Sequence, residues 1–253
     1  MGSNPRLDQI LLHPRVWRIG QMPVSTGSVI KTGFTSLDGV LPSNGWDQGA
    51  LSEILSNEQG IGELSVLIPA LRQIAQQGQD IVLVAPPYIP FPHAWESHGI
   101  ALKHVVIVRA DGKDLLWAIE QAARAGTCGM VVGWTETCRK QLNYQALRRL
   151  HVAADAGGTT LVLYRPANAA SDASAAPTRI IATAIQGELQ LQIIKRRAAL
   201  MASPLRVKVF PAHWARRTVE HAQALMAARR KHPVSDLVSL PVTNTSRRLS
   251  ASR

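Results

Sequence analysis

Short, unbroken apolar runs recur along the middle of this chain, separated by stretches in which apolar residues return every third or fourth position. Asp80–Ala85 (DIVLVA) and Val105–Val108 read as buried strands, the first covered on both faces, and Met130–Trp134 and Thr159–Tyr164 read as further strands. Pro92–His98, Asp114–Ala125 and Gln141–Ala154 read as the helices between them. The second of these carries the stripe Leu115, Leu116, Ile119, Ala122 and Ala123 and stops at Gly126. Gly99 after His98 suits a left-handed C-terminal cap. Strand and helix alternating in this way predict an α/β fold with a mainly parallel sheet, flanked by helices and joined by right-handed crossovers. Beyond it, Thr178–Ala184, Leu189–Lys195 and Leu205–Phe210 alternate in period two, with Gly187-Glu188 at a hairpin turn, and predict an antiparallel C-terminal extension. Pro166–Pro177 (PANAASDASAAP), small and polar, predicts a mobile loop without core residues. Upstream, Thr35 or Ser36 is placed to cap a short helix.

The pattern breaks at Gly49–Leu67, GALSEILSNEQGIGELSVL. Strand residues (Ala50, Leu51, Ile54, Leu55) lead into a loop with Gly60 and Gly62. An apolar helical pattern follows at Leu64, Leu67, Ile68, Leu71 and Ile74. Strand, glycine loop and helix form the frame in which a P-loop cradles phosphates. A P-loop also requires a lysine for the outer phosphates and a hydroxyl for magnesium. Here the second glycine is followed by Glu63, whose carboxylate repels phosphate.

The chain reads as an N-terminal helical segment (1–22), a core (23–210) and a basic helix with a flexible tail (211–253), the helix being His213–Lys231. Hydrophobic residues make up 46% of the sequence, enough for a sizeable core. With no long apolar run and no signal-like N-terminus, a cytoplasmic protein without membrane association is predicted. Of 28 Lys and Arg residues, 13 fall in Lys195–Arg253 against two acids, Glu220 and Asp236. Residues 1–194 hold the remaining 15 basic and 15 acidic residues and balance to zero. The whole excess of +11 therefore sits at the C-terminal end, suiting an acidic partner, protein or non-specific DNA, or a solubilising tail.

Other chemistry is sparse. His93 and His98 miss a common helical face and have no third ligand, so no metal site is expected. Cys128 and Cys138 lack disulfide or metal spacing, and Cys128 reads as a buried thiol. Trp46, Trp95, Trp117 and Trp134 read as core. Trp17 and Trp214 stand beside arginines and suit stacking or a helix face. Lys195, Arg196 and Arg197 follow a strand and fit either a nucleic-acid groove or the guarding of a sheet edge.

TGFTSLDGVL, the strand Gly49–Ile54 and the loop after it resemble the start of the RecA recombinase core. LQIIKRRAALMASPLRVKV resembles its β-rich end. The middle, from GELSVLIPALRQIAQQGQDIVLVAPP through GIALKHVVIV and LLWAIEQAARAGTCGMVVGW, is similar to the division inhibitor SulA. A RecA/SulA-like chain with a basic tail resembles the ImuA family, over roughly Gln9–Phe210. That resemblance implies a RecA-like P-loop-type core with a degenerate nucleotide site marked by Ser56, Gly60, Gly62, Glu63 and Gly133. The lysine position falls on Gly62 or Glu63, Pro86-Pro87 replaces the water-activating acid, and Gly133 stands where the Walker B aspartate closes its strand. Glu136 lies beyond that strand's end. Without these parts phosphoryl transfer is not expected, nor is any cofactor.

The resemblance further implies a non-catalytic accessory of SOS-induced translesion synthesis. Its expected partners are an ImuB-type Y-family polymerase homologue, an error-prone polymerase III α subunit, or RecA. Partner or nucleic-acid contacts would fall on Lys195, Arg196, Arg197, Arg216, Arg217, Arg229, Arg230, Lys231, Arg247 and Arg248. The alternative is a SulA-like division inhibitor acting on FtsZ.

Overall fold

A computed structural model describes residues 28–57, 60–136, 142–196 and 203–209. The chain divides between Val209 and Phe210, and every described residue belongs to the first unit. The helical segment proposed for residues 1–22 and the basic segment from residue 211 lie outside the described residues, as do Cys138, Trp17 and Trp214.

The centre of the fold is β3 (Leu51–Leu55), every residue of which is buried. It follows a two-stranded ribbon, β1 (Val29–Ile30) with β2 (Trp46–Asp47), that encloses the short helix α1 (Thr35–Asp38). After β3 come α2 (Ile68–Gln76), β4 (Asp80–Val84), α3 (Pro92–Ser97), β5 (Val105–Val108) and α4 (Gly112–Arg124). Then follow β6 (Cys128–Trp134), α5 (Tyr144–Gly157), β7 (Thr160–Arg165), β8 (Thr178–Ile185), β9 (Glu188–Lys195) and β10 (Leu205–Val207). The eight-stranded sheet runs β10-β9-β8-β3-β7-β6-β4-β5. From β8 to β5 every neighbour is parallel; β9 and β10 are antiparallel.

Alternation along the strands divides the core in two. Ile54, Leu83, Val132, Val162 and Tyr164 face α2, while Val84, Val131, Leu161 and Leu163 face α4 and α5. Gly129 and Gly133 on β6 mark close approaches: a Cβ on Gly133 would stand 2.7 Å from Ile119 Cδ1 and 3.1 Å from Leu163 Cδ2.

Several elements differ from the sequence expectation. β8 joins β3 in parallel, so the antiparallel extension begins one strand later. Its register is set by Glu53 lying opposite Arg179, which pairs two charges inside the sheet. The hairpin turns on Gln186 and Gly187, both at positive φ, with Glu188 already in β9. β5 is an edge strand, and Val106 and Ile107 are 44% and 42% exposed. An apolar run alone does not say whether this chain or another covers it.

The segment 166–177 is packed, with Ala169, Ser174 and Ala176 buried. Its small residues let its backbone carbonyls approach buried cations. Neither Thr35 nor Ser36 caps α1: Phe34 occupies the cap position, and Asp38 Oδ1 accepts instead from Thr32 N–H at 2.9 Å. Trp46 and Trp95 are core as expected, whereas Trp117 is 63% exposed on α4. Cys128 is buried, and burial raises its thiol above the ordinary 9.0.

Candidate functional site

Open parallel sheets bind ligands beyond the C-terminal ends of their strands, where backbone groups point out unpaired. A cavity of about 170 Å³ lies there, at the ends of β3, β6 and β7. Its walls include Asn57, Glu63, Trp134, Tyr164, Arg165 and Asn168, with Ser56, Thr135, Glu136 and Pro166 completing them. Gly62, at φ +85, precedes a 3-10 turn (Glu63–Val66), and Gly60 has φ +75. These two left-handed glycines reverse the chain after β3, so Glu63 is nine-tenths buried against the cavity. Its Oε1 accepts a long hydrogen bond, 3.4 Å, from Gly60 N–H.

Trp134 stacks on Tyr164, with centroids 5.2 Å apart and an interplanar angle of 17°. The Tyr164 hydroxyl donates to Glu63 O at 2.8 Å, fixing the turn to β7. Burial first, then the Glu63 carboxylate, raises the Tyr164 phenol well above its ordinary value.

Behind this wall runs a buried ion network. Glu53, fully buried in β3, accepts from Arg165 Nη1 at 2.8 Å and Arg179 Nε at 2.5 Å. Arg165 Nη2 also donates to Asp172 Oδ2 at 3.2 Å. Arg179 donates further to the carbonyls of Ala169, Ala170 and Asp172. Lys195, beside Arg179 in the β8–β9 register, donates to Ser174 O at 2.7 Å. Burial and the Arg179 charge lower its ammonium from the ordinary 10.5. The four cations and carboxylates Arg165, Arg179, Glu53 and Asp172 balance, and the network clasps the 166–177 segment over the strand ends.

The structure thus places Ser56 and Glu63 on the cavity wall, with Gly60 and Gly62 in the turn that carries Glu63. It places Gly133 elsewhere, facing Ile119 and Leu163, while the next residue, Trp134, lines the cavity. Lys195 and Arg196 are half-buried and hold their own chain, Arg196 Nη1 donating to Val40 O. Arg197, Arg216, Arg217, Arg229, Arg230, Lys231, Arg247 and Arg248 lie outside the described residues.

Sequence reasoning missed Glu53, Arg165 and Arg179. Their signal was a charged residue inside or at the end of an otherwise apolar strand, in LSEIL, TLVLYR and TRIIATAI. A charge there must be paired.

A second feature is apolar. At the free edge of β5, a groove of about 1440 Å³ is bordered by Pro87, Ile89, Ile107, Val108 and Trp117, with Arg109, Asp111 and Asp114 at its polar side. Tyr88 and Phe91, 65% and 66% exposed, stand in the same 86–91 connection as Ile89. Among the described residues no group of three or more His, Cys, Asp or Glu is arranged to hold a metal. No described helix is long and apolar enough to cross a membrane.

A mostly parallel sheet with helices on both faces and a cavity at the C-terminal strand ends defines an α/β protein consistent with the RecA-like fold. RecA of Thermus thermophilus is 27% identical over 118 residues, 46% of this chain and 34% of that protein, and RecA of Thermus aquaticus gives the same figures. The cell division inhibitor SulA of Edwardsiella piscicida is 30% identical over 118 residues, 45% of this chain and 67% of the inhibitor. The chain belongs to the SulA-like family, and its relationship to RecA is weaker and partial. It spans about a third of the length of the RecA relatives. No family model matches it.

Proposed function

We propose that this protein is a non-catalytic adaptor of SOS-induced translesion synthesis, of the ImuA type. In this reading it bridges an ImuB-type polymerase homologue with an error-prone polymerase III α subunit or with RecA. The observation that carries the adaptor role is the β5 edge. Val106, Ile107, Ile89 and Trp117 leave there a large apolar surface beside unpaired backbone, which folding of the described residues does not use. Such a surface suits a partner segment that adds to the sheet and seats apolar side chains in the groove.

Glu63 supports the non-catalytic part. A nine-tenths-buried carboxylate opens into the cavity where a nucleotide's outer phosphates would need a cation. The cation of the described lining, Arg165, is committed to Glu53 and Asp172.

Co-purification of the ImuB-type partner tests the reading. The wild-type chain should retain it, and a folded Ile89→Asp/Trp117→Ser variant should lose most of it. Retention unchanged by the variant would remove the edge from the account. A second reading, division inhibition through FtsZ, is favoured by the similarity to the SulA inhibitor over 67% of its length. Overproduction in cells lacking SOS induction separates the two: filamentation with direct FtsZ binding supports the inhibitor, normal division the adaptor.

A further inference from the structure

Buried carboxylates in folded proteins are normally paired with a cation, because an uncompensated buried charge is strongly destabilising. Glu53 obeys this rule, shared between two guanidinium groups. Glu63 does not. It is 9% exposed, and among the described residues it makes no ion pair. Among the described residues its carboxylate accepts the 3.4 Å bond from Gly60 N–H and no other. It opens into the cavity at the ends of β3, β6 and β7.

The Arg165 charge in that wall is already balanced by Glu53 and Asp172, so among the described residues no cation of the lining is left for Glu63. The remaining walls are of two kinds. Trp134, stacked on Tyr164, supplies an aromatic surface, and Asn57 and Asn168 supply amides. The cavity, about 170 Å³, has room for one long side chain.

We propose that this cavity is a receptor for a guanidinium group, which pairs with Glu63 and lies against the Trp134 wall. A planar, weakly hydrated cation both forks onto a carboxylate and stacks on an aromatic ring, whereas a compact ammonium does only the first. The inference rests on the reading that the position does not take nucleotide. The site would turn a strand-end position that in a P-loop receives phosphate into one that receives the opposite charge. The guanidinium comes either from an arginine side chain of a polypeptide or from a small free cation. The two share their chemistry at Glu63 and differ in what surrounds the mouth of the cavity.

The test uses the full chain and four probes in calorimetry and ligand-detected NMR: N-acetyl-arginine amide, agmatine, N-acetyl-lysine amide and ATP with magnesium. The guanidinium probes should bind saturably, the lysine probe several-fold more weakly, and ATP not at all. Tighter binding of the arginine amide identifies a polypeptide source; tighter binding of agmatine identifies a free metabolite. Glu63→Gln should weaken guanidinium binding at least about tenfold, the order expected for loss of one charge-assisted pair. The same substitution keeps an acceptor for Gly60 N–H and should leave the melting temperature unchanged or raised, because it removes a buried charge that no described residue pairs.

Guanidinium binding equal in wild type and Glu63→Gln overturns the proposal. So does lysine binding as tight as arginine, or the absence of saturable binding by both guanidinium probes. If ATP stays silent in that last case, only the guanidinium site falls. If ATP binds and displaces the guanidinium probes, the site and the non-catalytic reading fall together.

Discussion

Glu53 shows how a single residue organises this fold. It stands in the middle of the central strand, opposite Arg179 and diagonal to Arg165, and those two cations hold the carbonyls and carboxylate of the 166–177 segment. Removing the carboxylate leaves two buried guanidinium groups facing each other, which costs about 3–5 kcal/mol for a broken buried pair. Glu53→Ala should therefore lower the urea midpoint sharply or abolish cooperative unfolding, and it should raise protease sensitivity within 166–177.

Tyr164 sets a different dependence. Its phenol and the Cys128 thiol are held neutral by burial, while the unfolded chain ionises at the ordinary 10.0 and 9.0. Above those values the unfolded chain holds fewer protons than the native state. The contribution of both groups is thus constant at neutral pH, falling as pH rises past 9 and again past 10. Tyr164→Phe should lose about 1 kcal/mol at neutral pH with the bond to Glu63 O, and should flatten the decline above pH 10. Urea melts across alkaline pH, followed together with tyrosinate absorbance, measure both effects.

At the scale of elements, α5 illustrates what local chemistry secures. Asn143 caps it by accepting from Ala146 N–H at 2.9 Å, and Gly158 at φ +63 ends it. Asn143→Ala should cost about 1 kcal/mol in thermal or chemical unfolding. Elements of this kind were legible because period and caps agree within one stretch of chain: Asp80–Val84, Gly112–Arg124 and Glu188–Lys195 lie within a residue or two of their expected bounds.

What was not legible depends on partners distant in sequence. Val105–Val108 has the composition of a buried strand, and only its place at the sheet edge shows that its cover is absent from the described residues. The segment 166–177 lacks large apolar residues, yet Arg179 and Lys195 order it through carbonyls that no composition records. The parallel pairing of β8 brings Arg179 opposite Glu53, a contact between residues 126 positions apart. For the site, the glycine loop and Glu63 could be read in order along the chain. Trp134, Tyr164 and Arg165 could not, because the strand order brings β6 and β7 beside β3.

For the whole molecule, charge and apolar surface fall in different places. The body to residue 194 is neutral and carries the apolar β5 edge, while Lys195–Arg253 holds the entire excess of +11. In the proposed adaptor role, apolar contact at the edge would set how long a partner stays, and the basic segment how fast it arrives. Truncation after Phe210 should slow association and steepen dissociation at raised salt. Charge reversal at Arg229, Arg230 and Lys231 should act mainly on the association rate at low salt.

The central claim, a partner-binding scaffold that runs without nucleotide, is tested most directly by one affinity. That is the Kd between the full chain and the proposed ImuB-type partner, measured with and without ATP and magnesium, for wild type and Ile107→Glu. The account predicts one value with or without nucleotide, and a loss of at least about tenfold for the variant, the order expected for a charge placed in an apolar contact. A Kd that tightens with ATP, or one that Ile107→Glu leaves unchanged, would contradict it.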